Sequence, residues 1–106
     1  MTDPVARLLP WSSPDGKPCF LLSDGTGYVA RVADAVEEEQ LASALDLIAE
    51  ARCLFAARGW TSGQLQLLAV ELTEALAEVR RVAESRGARL RCCDDQSSQR
   101  EASPAR

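Results

Sequence analysis

Between residues 26 and 58 the apolar positions recur at helical spacing. Val29, Val32 and Val36 lead into Leu41, Ala44, Leu45, Leu47, Ile48, Ala51, Leu54 and Phe55. At ~100° per residue these positions cover an arc of roughly 200°, wider than one partner helix needs. A slip in phase near Gln40 sets Val29, Val36, Leu47 and Leu54 on a stripe beside the one made by Leu41, Leu45, Ile48 and Phe55. A second helix is predicted over about 62 to 86. There Leu65, Leu72 and Val79 recur every seventh residue, Leu68, Ala75 and Val82 take the complementary register, and Ala69, Leu76 and Ala83 widen the seam. Leu67 and Val70 lie off that seam and need burial of another kind.

The break between the two helices is the sharpest local signal. Gly59 follows the first apolar run, where a residue tolerant of positive φ can close a helix. Thr61 and Gln64 have capping-box spacing, and Trp60 and Leu65 have that of a hydrophobic staple. So short a connection makes the helices antiparallel neighbours. Folding the chain about Trp60 and Thr61 brings Arg80 and Arg81 level with Glu37, Glu38 and Glu39. Arg86 and Arg89 suit the negative end of the second helix dipole.

Residues 1 to 25 form a separate arm, punctuated by Pro4, Pro10, Pro14 and Pro18, through which no helix can run. The apolar patches Leu8-Leu9-Pro10-Trp11 and Cys19-Phe20-Leu21-Leu22 flank the turn-like Ser13-Pro14-Asp15-Gly16. That pattern fits a short β-hairpin or an extended arm laid over the helices. Residues 91 to 106 lose all periodicity and read as a disordered tail.

The fold class expected is therefore mainly α. It is an antiparallel two-helix hairpin over residues 26 to 90, with a Pro-rich arm or short β-hairpin before it. Two helices cannot enclose a core, and the aromatic share is only 5%, so core volume must come from aliphatic side chains and alanine. Pairing of two such hairpins into a homodimeric four-helix bundle gives each wide arc its second neighbour.

Charge narrows the partners. A net charge of −4 argues against a general nucleic-acid binder. The cluster Arg80, Arg81, Arg86, Arg89 and Arg91 lacks aromatic interleaving and is better explained by helix-dipole and ion-pair roles. No run reaches the ~18–20 apolar residues of a membrane span, and no secretory leader pattern opens the sequence. A cytoplasmic protein with neither nucleic-acid nor membrane partners is the expectation.

Catalytic chemistry finds few supports. The chain has no histidine, which removes the commonest general base and metal ligand. Glu71, Glu74 and Glu78 share a helix face but have no Glu-x-x-His element opposite, so a solvated acidic face explains them. Asp24-Gly25-Thr26-Gly27 matches no phosphate-loop pattern. Cys19, Cys53, Cys92 and Cys93 lack C-x-x-C spacing, and adjacent cysteines fit a zinc site poorly. A thiol-based metal or redox module using Cys19, Cys92 and Cys93 is the alternative to a binding role. No cofactor is expected.

The segments Leu8-Leu9-Pro10-Trp11, Gly16-Lys17-Pro18-Cys19-Phe20-Leu21 and Asp24-Gly25-Thr26-Gly27-Tyr28 resemble those of short uncharacterised actinomycete proteins. Eleven arginines against one lysine are similar to high-GC coding. The resemblance implies no function. What the residues support is a non-enzymatic, regulatory protein–protein interaction module that homodimerises. The surface expected to carry it is Leu8, Trp11 and Phe20 in the arm, which can also meet another protein, and Leu67 and Val70 on the second helix.

Overall fold

The computed structural model describes residues 5–23 and 25–102, with side chains described to Cys92. Strands β1 (Val5–Ser12) and β2 (Pro18–Ser23) precede helices α1 (Tyr28–Ala56) and α2 (Ser62–Ala102). The arm is thus a β-hairpin, antiparallel, with Arg7 opposite Leu21 and Leu8 opposite Phe20. The register shifts between Leu8 and Ser12.

Its turn follows from four residues. Ser13 accepts a bond at its carbonyl from the Gly16 amide (2.9 Å), and its own amide donates to Lys17 O (2.8 Å). Gly16 takes φ +82, the left-handed position that closes this type of hairpin loop at no steric cost. The Ser13 hydroxyl also bonds the Asp15 carboxylate and holds its pKa below the ordinary value.

At the junction between helices the Gly59 turn and the capping box form where the sequence places them. Gly59 adopts φ +96 two residues after the α1 cap at Ala57. The Thr61 amide donates to Gln64 Oε1 (2.7 Å), and the Gln64 amide donates to Thr61 Oγ1 (3.1 Å). Both partners of the capping box are in place, each satisfying a helix-start amide. Thr61→Ala should lower stability by about 1 kcal/mol in urea unfolding.

Helix α2 runs to Ala102, beyond the end expected near residue 86 and through much of the segment read as a disordered tail. Loss of apolar periodicity is not loss of helix. Residues 88 to 102 contain neither Gly nor Pro, and Gly87 costs only about 1 kcal/mol within a helix. Residues 103 to 106 lie outside the described residues.

At 1.5 Å per residue α2 is about 60 Å long and α1 about 44 Å. The radius of gyration is 19.1 Å, where a compact chain of this length has about 13 Å. The core is correspondingly thin. Its buried apolar side chains are Leu9 and Pro10 in the hairpin, Ala30, Ala33 and Ala51 on α1, and Leu68 and Val82 on α2. Among the described residues no helix is long and apolar enough to cross a membrane.

Candidate interaction surface

A buried carboxylate fixes where the hairpin sits. Glu37 is 1% exposed. Its Oε2 accepts from Arg7 Nη2 (3.2 Å), and its Oε1 accepts from Arg86 Nε and Arg89 Nη2 (3.2 Å each). Three segments, β1, α1 and α2, thereby converge on one charge. Arg7, itself buried, also donates to Asp34 Oδ1 (2.7 Å) and Ala30 O (3.3 Å), while Arg86 reaches Glu38 Oε1 (2.9 Å). Glu38 first and Glu37 next hold the Arg86 guanidinium pKa above its ordinary value.

Two neutral bonds complete the attachment. Ser85 Oγ donates to Leu8 O (2.9 Å), and Gln40 Nε2 donates to Pro10 O (2.9 Å). The outer edge of β1 is therefore occupied by helix side chains.

The charge pairing corrects the expected register. Arg86 and Arg89, not Arg80 and Arg81, meet the Glu37 to Glu39 run, and Arg80 pairs within its own helix with Glu84 at 3.7 Å. Arg80 and Arg81 lie under two turns from Arg86 and just over two from Arg89, and their rotation about α2 turns them away from α1. Because α2 continues past them, Arg86 and Arg89 serve as ion-pair partners in mid-helix rather than at a C-terminus.

Five exposed apolar side chains of the two helices share one side of the pair. Leu45 (68% exposed), Ile48 and Phe55 on α1 continue the stripe begun by half-buried Leu41. Leu76 (70%) and Leu90 continue half-buried Leu65 and Leu72 on α2. At ~100° per residue both sets lie roughly 40–120° round from the line joining the two helices. Antiparallel helices turn in opposite senses when viewed along one axis, so equal displacements reach the same side. The opposite side supports the assignment, since there Asp46 and Glu50 of α1 line a common depression with Glu71, Glu74 and Glu78 of α2.

A second feature lies between the hairpin and the outer side of α2. It is an open groove of about 480 Å³, with Leu8, Pro18 and Phe20 on the hairpin wall. Ala77, Arg80, Arg81, Glu84, Ala88 and Arg91 form the helix wall.

The five residues expected to carry interaction thus divide. Leu8, half-buried, and Phe20, 59% exposed, meet in the groove. Trp11 is half-buried and outside it. Leu67 (62%) and Val70 (49%) are exposed on α2 away from the apolar side, Leu67 beside Cys53 and Leu54, Val70 beside Thr73 and Glu74. The residues missed were Leu45, Ile48, Phe55 and Leu76 as an exposed set, although the over-wide arc of α1 already signalled them.

Cys19 and Cys92 are half-buried free thiols and Cys53 is an exposed one; the Cys93 side chain lies outside the described residues. Among the described residues, no group of three or more His, Cys, Asp or Glu is placed to hold a metal ion. No protein-family model matches this chain, and neither a curated protein nor a solved structure matches it.

Proposed function

We propose that this chain is a non-enzymatic protein–protein interaction module of regulatory type, acting as a homodimer in which two helical hairpins form a four-helix bundle. The observation that carries the reading is the one-sided exposure of Leu45, Ile48, Phe55 and Leu76 on an elongated chain with a thin core. Apolar surface so arranged favours coverage by further helices. A second copy fits best, because Leu41, Leu45, Ile48 and Phe55 and then Leu65, Leu72 and Leu76 are spaced by three, four or seven residues as in a bundle seam, with Arg52 and Ala69 at the intervening positions.

Area is consistent with this occupant. Two helices each about 10 Å across and sharing about 30 Å of length have a footprint of about 600 Å². Side-chain relief brings that close to the about 800 Å² per partner of a standard stable interface. The arm residues Leu8, Trp11 and Phe20 remain for contact with other chains.

Sedimentation equilibrium tests the reading. At micromolar concentration and moderately high salt the full chain should have the mass of two chains. A single-chain mass under those conditions would sink the bundle.

A further inference from the structure

The outer side of α2 changes chemistry halfway along. Its N-terminal half presents Gln66, Ala69, Val70, Thr73 and Glu74, whereas Leu67, Glu71 and Glu78 line depressions shared with α1. Its C-terminal half is the helix wall of the groove, where three arginines stand against one glutamate in a chain whose net charge is −4. Arg81 and Arg91 make no ion pair among the described residues. A half bearing Val70 and the Glu74 carboxylate and a basic half with an apolar pocket lie end to end on one helix.

We propose that the groove takes the N-terminal half of α2 from a second copy, in an antiparallel α2 to α2 pairing centred on Ala77. With Ala77 opposite itself, Arg81 falls opposite Thr73 and Glu74 of the other copy, and Ala88 falls opposite Gln66 and Leu67. The two-fold axis repeats each contact. The alanines allow the helices close approach. Val70 of each copy comes to the Leu8 and Phe20 wall of the other, which gives these exposed side chains a common cover. The arrangement leaves the apolar side of both copies free.

This contact rests on the reading of the chain as self-associating and adds to the bundle interface; because each dimer carries two such grooves, it joins dimers into assemblies of four chains or more. The two interfaces answer to different forces. Burial of Leu and Ile side chains is little affected by salt, whereas partly exposed Glu74 to Arg81 pairs are screened once the Debye length falls to a few ångströms.

Sedimentation of the full chain at two salt concentrations tests it. At about 50 mM salt assemblies of four chains or more are expected, falling to two by about 1 M. Glu74→Arg or Arg81→Glu should each abolish these assemblies at low salt, because every cross-pair becomes like-charged. The double variant Glu74→Arg, Arg81→Glu should restore it.

Two chains at both salt concentrations in the wild type would overturn the proposal and would also be the result if the groove takes an acidic helix of another protein. Four or more chains persisting in either single variant, or no recovery in the double variant, would overturn it as well. One chain at high salt and two at low salt would instead remove the bundle while supporting this contact.

Discussion

Replacing Glu37 by alanine should cost about 3–5 kcal/mol, the range for breaking a buried ion pair by removing one partner. Arg7 is buried with it, and its remaining anionic partner, Asp34, is largely solvent-exposed. The Arg7 guanidinium would thus keep its desolvation cost and lose the charge that offsets it. Arg86 and Arg89 would lose less, since their side chains are 41% and 32% exposed and water can replace the carboxylate. Against a total stability of about 5–15 kcal/mol for a domain, the loss is a large share of the folding free energy. The hairpin should detach first, read as a shift of Trp11 fluorescence in a Trp60→Phe background at denaturant levels where helical circular dichroism persists. Adding Arg7→Met to Glu37→Leu should recover most of the loss, because apolar replacement of a whole buried pair is often neutral or stabilising. A cost below about 1 kcal/mol for Glu37→Ala would place the cluster with weak surface pairs.

The sequence contained part of this site. Ala30, Glu37, Ala44 and Ala51 recur every seventh residue, and the first, second and last of them are buried. A glutamate standing in a heptad of alanines is the signal that a Glu-Glu-Glu run has one member facing inward. It is masked because the large aliphatic residues carry the more conspicuous periodicity, whereas the seam of α1 is built from small ones. The pairing with Arg7 had no local signal at all. It depends on a contact thirty residues apart in sequence, made when the hairpin packs on the helices.

Other elements were legible because their causes are local. The Thr61 to Gln64 capping box, Gly59 and the Ser13 to Gly16 turn each act within four residues, and each formed where spacing placed it. Between hairpin and arm the residues left a choice, and in the fold bonds from Ser85 and Gln40 to β1 carbonyls and the Arg7 to Glu37 pair tie the hairpin to the helices. An isolated two-stranded hairpin is marginal in water, so no property of residues 1 to 25 alone could decide it.

The combined change Leu45→Asp and Leu76→Asp should dissociate the apolar-side dimer while helix content stays near that of the wild type. Both side chains are about 70% exposed in the single chain, so their replacement removes little from its own core. In a bundle, burying each leucine contributes about 1.5–3 kcal/mol, and the two-fold axis counts each residue twice. The loss is then about 6–12 kcal/mol before any cost of burying carboxylates, against about 8 kcal/mol for a complex of micromolar affinity. At 1 M salt, where the charged contact is screened, sedimentation should therefore give single chains. The same change at Leu67 and Val70 should leave two chains at that salt concentration, because those residues lie away from the apolar side of the helix pair. If Leu45→Asp with Leu76→Asp retains two chains at high salt, the exposed apolar side is not what joins them. The over-wide arc of α1 would then have to be covered by something other than a second copy.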